Sequence, residues 1–326
     1  MRVLVAGASG AIGTRLVPQL IEAGHEVIGT HRSAGSVECL RALGAAPLQL
    51  DLLDQDAVMR AVIAQSPDAI VHQATALSNL TDLKHFDRTF HQTNLLRTRG
   101  TDALLTAARR TGVRRLVAQS YASARHARTG AMVKAEGDPL DEHPVASMRE
   151  SVAAMRYLEQ EVSAAGGIAL RYGTFYGAEN DGLVEPVRKR QFPIAGDGAG
   201  VWSFIHLADA AAATVLALEH EGPAIYNVVD DDPAAVREWL PVLAQALGAK
   251  PPRRVPRWLA RIFAGQAAVM MATESRGASN AKAKRELGWT LRYPSWRDGF
   301  VAAYTSAARA HAARRLVDSV SAARSA

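Results

Sequence analysis

Short apolar runs alternate with stretches whose apolar residues recur every three to four positions through the first two-thirds of the chain. That alternation lays helices against a parallel sheet. Arg2–Ala6, His25–Thr30, Pro47–Asp51, Ala69–Ala74, Arg115–Ser120 and Ile168–Tyr172 predict strands. Helices are predicted over Ile12–Glu22, Gln55–Ala64, Thr98–Arg110 and Met148–Ala164. Right-handed crossovers make of them an α/β fold, a Rossmann-type doubly wound parallel sheet. After Tyr176 glycine, proline and charge become dense up to Gly200. Trp202–Ile205 and Ala208–Leu218 then resume strand and helix, and Pro233–Leu247 predicts a helix stopped at Gly248. The expected organisation is a sheet domain from residues 1–174 and 202–228, a smaller α/β region from 175–201 and 229–304, and an Ala/Arg-rich tail over 305–326.

Composition narrows this picture. The chain has 326 residues, 48% hydrophobic and 21% charged, which excludes a disordered or fibrous protein. Its single cysteine, Cys39, rules out an internal disulfide and a cysteine-rich zinc centre. No clustered carboxylates or histidines suggest a metal site, so none is expected. No apolar run approaches the ~18 residues that span a bilayer, and the chain enters a strand at once, so a cytoplasmic protein without a membrane partner is expected. The net charge of +6 collects at Lys250, Arg253, Arg254, Arg257 and Arg261 and in the tail at Arg309, Arg314, Arg315 and Arg324. With no nucleic-acid motif beside them, these charges predict a solvated surface and no nucleic-acid partner.

Between the first strand and the first helix stands Gly7-Ala8-Ser9-Gly10-Ala11-Ile12-Gly13, a GxxGxxG turn. Gly7 permits the tight turn, Gly10 lets a diphosphate approach the backbone, and Gly13 lets helix and strand pack closely. The helix start offers free amides and a positive dipole end, so Gly7, Ser9, Gly10, Ala11, Ile12 and Gly13 are expected to hold a dinucleotide. A cofactor with a free ribose 2′-hydroxyl usually meets a carboxylate about 20 residues further on. Here that place reads Gly29-Thr30-His31-Arg32-Ser33. Arg32, with Ser33, suits a 2′-phosphate, so NADP is favoured and NAD is the alternative.

These residues resemble the NAD(P)-dependent epimerase/dehydratase family, the extended short-chain dehydrogenase/reductases. Besides the glycine turn, the resemblance rests on Leu50-Asp51-Leu52, Val71-His72-Gln73-Ala74-Thr75, Arg171-Tyr172-Gly173-Thr174-Phe175-Tyr176-Gly177 and Phe204-Ile205-His206-Leu207-Ala208-Asp209. Ala224–Val228, Glu286–Trp289 and Trp296–Phe300 extend it to about Phe300. It implies that Asp51 and Leu52 hold the adenine, that Ala74, Thr75 and Tyr172 line the cofactor, and that the smaller region binds a small-molecule substrate. It also implies a homodimer through the Thr98–Arg110 and Met148–Ala164 helices. Asp209 reads as a helix N-cap, and His206 as a hydrogen-bonded structural histidine.

Family members usually carry Tyr-x-x-x-Lys, in which the lysine lowers the phenol pKa for proton exchange. None of the seven tyrosines here has lysine four residues later. Registering Glu159 with the glutamate that follows the family's lysine puts Ser151 in the tyrosine slot and Met155 in the lysine slot. The serine slot of the fifth strand then holds Tyr121. Tyr121 is the candidate proton donor, with Ser120 or Ser123 assisting and Ser151 in the vacated position. Arg125, Lys134 and Arg149 are further polar candidates, Lys134 and Arg149 with exposed structural roles expected. The expected function is NADP-dependent oxidation or reduction of a carbonyl or alcohol. The alternatives are a redox-neutral epimerase, dehydratase or cyclase with bound NAD(P), and a non-catalytic NADP-sensing regulator.

Overall fold

The computed structural model describes residues 1–77, 82, 84–178 and 182–305. Seven strands form one all-parallel sheet: β1 (Arg2–Ala6), β2 (Glu26–His31), β3 (Ala46–Gln49), β4 (Ala69–His72), β5 (Arg115–Tyr121), β6 (Ile168–Tyr172) and β7 (Ala224–Val228). Their order is β7-β6-β5-β4-β1-β2-β3. The chain runs outward from β1 to β3, returns to β4 on the other side of β1, and builds outward again. The topological switch therefore lies between β1 and β4, where a doubly wound sheet opens its binding crevice.

Helices cover both faces because the strands bury both. Under one face α1 (Gly13–Glu22) meets the later Leu207–Glu219 helix, which in turn meets the Ala281–Leu287 helix. There Leu16, Val17, Leu207 and Leu287 pack with Val3, Val5 and Val71. After the short α2 (Val37–Ala42), the other face receives α3 (Gln55–Gln65), α5 (Thr101–Thr111) and α6 (Arg149–Ala164). Their Val58, Val62, Leu104 and Leu158 close over Leu4, Ile70 and Leu116. The start of α3 is set by Asp54, whose Oδ1 accepts from the Ala57 amide at 2.9 Å. Asp54→Ala should cost about 1 kcal/mol of stability, read as a lower midpoint in urea at constant slope.

Two helices escape the sequence pattern. α4 (Phe86–Leu95) runs into a π-helical turn at Leu96–Gly100, so the predicted Thr98–Arg110 helix is the end of a longer, interrupted one. Its inward positions include Thr93, Asn94, Arg97 and Thr101, all buried, which hides the amphipathic signal. α10 (Arg257–Thr273) follows the short α7 (Val184–Arg188), α8 (Leu207–Glu219) and α9 (Val236–Ala246) and precedes α11 (Ala281–Leu287). It bends at Gly265, where φ is +84° and a Cβ would sit 2.8 Å from the Lys84 Cα.

The C-terminal residues build a separate apolar cluster beside the strand ends. Trp202, Phe204, Trp239, Trp296 and Phe300 form its centre, joined by Met155 and Tyr176. The predicted strand Trp202–Ile205 is two short pieces. Val201–Trp202 pairs antiparallel with Ala234–Ala235, and Phe204–His206 pairs parallel with Thr174–Tyr176. Among the described residues no helix is long and apolar enough to cross a membrane. Most of the Ala/Arg-rich tail, from 306 onward, lies outside the described residues.

Candidate active site

The glycine turn sits at the switch point. Gly7 has φ +89°, and a Cβ there would stand 2.8 Å from the backbone of Ala74, so β1 and β4 meet at a distance only glycine allows. The Gly7 amide donates to Thr30 Oγ1 at 3.2 Å, tying the turn to β2. At Gly13 a Cβ would lie 2.3 Å from the Ala8 carbonyl oxygen, which fixes how closely α1 follows the turn. Ser9, Gly10 and Ala11 are exposed, while Ile12 and Gly13 are buried. A Cβ on Gly10 would meet only the Gly7 carbonyl oxygen, at 3.2 Å. An open run of small residues at a helix start fits the diphosphate of a dinucleotide.

The neighbouring positions agree with that fit in part. Arg32 and Ser33 are exposed at the end of β2, and among the described residues Arg32 makes no ion pair. Asp51 is exposed after β3 and accepts from the Leu53 amide at 3.0 Å, so one of its oxygens caps a turn. Leu52 is buried against Gly100, Ala74 is half-buried beside Gly7, and Thr75 is half-buried. Tyr172 departs from expectation. It is fully buried, with its hydroxyl bonded to Gln73 Nε2 at 3.0 Å and Thr214 Oγ1 at 2.6 Å. Its side chain ties β6 to β4 and α8 and leaves nothing for a cofactor.

Ser151 and Met155, the positions that the register with Glu159 picks out, are both enclosed. Ser151 Oγ donates to Asp87 Oδ1 at 2.7 Å and accepts from Asn94 Nδ2 at 3.0 Å, with 1% of the residue exposed. Asp87 also receives the Glu150 and Ser151 amides, so it anchors the start of α6 to α4. Met155, one turn on, lies in the apolar cluster with Val152 and Tyr176. Ser151 is thus committed to two partners, and Met155 carries no exchangeable proton.

Ser120 is also corrected. Its hydroxyl donates to Glu159 Oε1 at 2.6 Å and accepts from Arg125, inside a buried charge network. Glu159 is clasped by Arg125, with Nη2 at 2.6 Å from Oε2, and by Arg171, with Nη2 at 2.9 Å from the same oxygen. Burial pushes the Glu159 carboxyl upward, but the two guanidinium groups and Ser120 outweigh it and hold the pKa below the ordinary value. Arg125 therefore pairs with Glu159 and reaches only the backbone oxygen of Tyr121, at 3.1 Å. Lys134 is buried rather than exposed and donates to the Thr129 carbonyl at 2.8 Å. His126 lies beside Arg125 and Arg171; burial and these cations push its pKa down to about 4, so it is neutral.

Tyr121 closes β5 at the crevice end of the sheet, half-buried, with its hydroxyl 3.1 Å from Thr174 Oγ1. Around the same strand ends several buried polar atoms have no partner among the described residues: His72 Nδ1, Gln73 Oε1, Asn94 Oδ1, Arg97 Nε and Thr101 Oγ1. Orphaned polar atoms are rare in protein interiors and mark strain or a missing ligand. Burial pushes His72 down to about 4, so the neutral ring donates from Nε2 to the Leu96 carbonyl at 3.1 Å.

At the far side of the crevice one expectation holds and one changes. The N-cap of α8 is His206, whose Nδ1 accepts from the Ala208 amide at 3.1 Å; the histidine is structural, as expected. Asp209 instead accepts from the Arg292 and Tyr293 amides, both at 2.9 Å. Asp230 is 1% exposed, its Oδ2 has no hydrogen-bond partner among the described residues, and burial pushes its pKa up to about 8. Between the unfolded value near 4 and about 8 the folded chain holds a proton that the unfolded chain has released, so this carboxyl lowers stability as pH rises. Asp230→Asn should therefore raise the thermal midpoint more at pH 8 than at pH 5, checked by calorimetry at both values.

Residues 3–228 match the model of the NAD dependent epimerase/dehydratase family. The chain belongs to that family. It is 43% identical over 308 residues to a 3-diazoavenalumate denitrifying reductase of a Streptomyces species, covering 92% of this chain and 99% of the relative. A 2-alkyl-3-oxoalkanoate reductase of Stenotrophomonas maltophilia is 29% identical, covering 76% of each chain. In three dimensions the UDP-glucose 4-epimerase of Thermotoga maritima superposes with a TM-score of 0.74 at 22% identity, covering 93% of this chain and 97% of that one. The protein is thus an enzyme of the NAD(P)-dependent oxidoreductase and epimerase kind.

Proposed function

We propose that this member of the family is an NADPH-dependent reductase that removes nitrogen from a small aromatic diazo acid. The observation that carries the proposal is the loss of a proton donor at the Tyr-x-x-x-Lys position: Ser151 is committed to Asp87 and Asn94, and Met155 is apolar. Reducing a ketone needs a hydride and a proton, and epimerising an alcohol needs a base. Replacing a diazonium group needs neither: ArN₂⁺ plus one hydride gives ArH and N₂, balanced in atoms and charge. When bound, a reduced nicotinamide supplies that hydride. The 43% identity to a denitrifying reductase of a diazo acid supports the same chemistry.

The chain's own residues would then bind, orient and shield. Gly7 to Gly13 hold the diphosphate on main-chain amides, Arg32 and Ser33 meet a 2′-phosphate, and Asp51 and Leu52 bound the adenine side. Gly7 sets Gln73 and Ala74 against the glycine turn. Met155 and its apolar neighbours keep water from the reacting carbon and favour a flat aromatic ring. Residues 182–201 and 229–304 supply the rest of the substrate pocket, with Trp202, Trp239 and Trp296 in its supporting core. Arg32→Asp should shift the NADP-to-NAD affinity ratio roughly ten- to a hundredfold toward NAD, the worth of a charged hydrogen bond; titration of both nucleotides checks it.

One observation favours a second reading, a carbonyl reductase: Tyr121 places a phenol at the crevice end of β5. Incubation of the chain and Tyr121→Phe with NADPH and either an ortho-hydroxyarenediazonium acid or a panel of 3-oxo acids separates the two. Diazo chemistry predicts cofactor oxidation with the diazonium acid in both proteins. Oxidation with a 3-oxo acid alone, lost in the phenylalanine variant, would sink the proposal in favour of the second.

A further inference from the structure

Arg97 lies on the π-helical turn between α4 and α5, with 5% of the residue exposed and no hydrogen bond or ion pair to any described residue. The turn is held across the end of β4 by the bond from His72 to the Leu96 carbonyl. This guanidinium is the odd charge in its surroundings. Glu159, the buried carboxylate nearby, is already shared by Arg125 and Arg171. Three buried arginines thus face one buried carboxylate, a local excess of positive charge. A buried cation without a partner is costly, and a folded chain keeps one where a ligand supplies the counter-charge.

The interior accepts this charge with some strain. Burial, then Arg125, push the Arg97 pKa down to about 10, while Glu159 and Tyr121 hold it up. It stays protonated at neutral pH and within electrostatic reach of Tyr121. Thr101 Oγ1 and Asn94 Oδ1, orphaned on the same inward face, add neutral polar groups.

We propose that Arg97 is a substrate-binding residue that receives an oxyanion conjugated with the diazo carbon, the phenolate of an ortho-diazophenol. This deepens the diazo reductase function proposed above and rests on it. An aromatic diazo compound of that type is a resonance hybrid of a neutral quinone diazide and a diazonium phenolate. A guanidinium on the oxygen favours the diazonium phenolate, the form in which hydride can take the place of departing N₂ on the carbon. It also holds the phenolate produced when N₂ departs. Arg97 gives up no proton in this process; the phenolate is protonated by solvent after release.

The test compares the chain with Arg97→Gln on ortho-hydroxybenzenediazonium and on benzenediazonium, each with NADPH. The ratio of kcat/KM values, hydroxylated over plain, should fall roughly thirty- to a hundredfold in the variant, and Arg97→Lys should recover part of it. The thermal midpoint of Arg97→Gln should equal or exceed that of the parent, since an unpartnered cation is removed. An unchanged ratio, or a clearly lowered midpoint, would overturn the assignment and leave Arg97 a structural cation. Should the parent consume neither diazonium, the diazo function fails, and binding of 4-hydroxycinnamate against its methyl ether still decides on Arg97. A preference for the phenol that vanishes in Arg97→Gln supports the oxyanion site; equal preference in both proteins contradicts it.

Discussion

Glu159→Gln should destabilise the chain by about 3–5 kcal/mol, the usual result of removing one partner from a buried ion pair. The glutamine keeps the shape but leaves Arg125 and Arg171 facing each other, both buried, without the carboxylate that both grip. Ser120 also loses its charged acceptor. The effect should depend on pH with a definite sign. The folded-state pKa of Glu159 lies below the unfolded value, so between the two the unfolded chain binds more protons. The contribution is complete above the unfolded value and is lost as pH falls through the folded one. Denaturant titrations from pH 7 down to pH 3 should show the gap between parent and variant narrowing with acid. A gap that is small at pH 7, or widens with acid, would show that the network is not held by ionised Glu159.

Gly10→Val should abolish measurable dinucleotide binding, a loss of at least about a hundredfold, while leaving the fold nearly intact. The asymmetry follows from what surrounds each glycine. At Gly7 and Gly13 an added Cβ collides with backbone, so substitution there disturbs the fold as well. At Gly10 the new atom meets one carbonyl oxygen at 3.2 Å and otherwise occupies the exposed lip of the turn. That lip is where a diphosphate has to approach the amides. Calorimetric titration with NADPH and NADH, beside a thermal melt, checks both halves. A variant that melts like the parent and binds like the parent would remove the glycine turn from the cofactor site.

The sheet was legible because its strands obey a simple rule: buried on both faces, they read as short apolar runs broken by helices with one apolar stripe. The glycine turn was legible because backbone proximity leaves no other residue type at Gly7 and Gly13. Register alone placed Ser151 and Met155; Ser151 is bonded to Asp87 and Asn94, and Met155 is buried in an apolar cluster. What escaped were residues whose partners are distant in sequence. Ser120 read as an available hydroxyl, yet Glu159, 39 positions on, holds it. Tyr172 read as a cofactor neighbour, yet Gln73 and Thr214 enclose it. Asp209 read as an N-cap, a role His206 takes three positions earlier, freeing the carboxylate for the Arg292 and Tyr293 amides. Arg97 was hidden by the same polar face that concealed α4, since an inward arginine breaks the periodicity by which helices are found.

The reaction itself is tested most directly by stoichiometry. With a diazonium acid carrying nitrogen-15 in both diazo positions, gas mass spectrometry and nicotinamide absorbance can be followed in one sealed vessel. One molecule of labelled N₂ should appear for each NADPH oxidised, with the arene bearing hydrogen where nitrogen was lost. Two NADPH oxidised per substrate without gas would mean reduction to an arylhydrazine, and gas released without cofactor oxidation would mean that no hydride was delivered; either contradicts a denitrifying reductase.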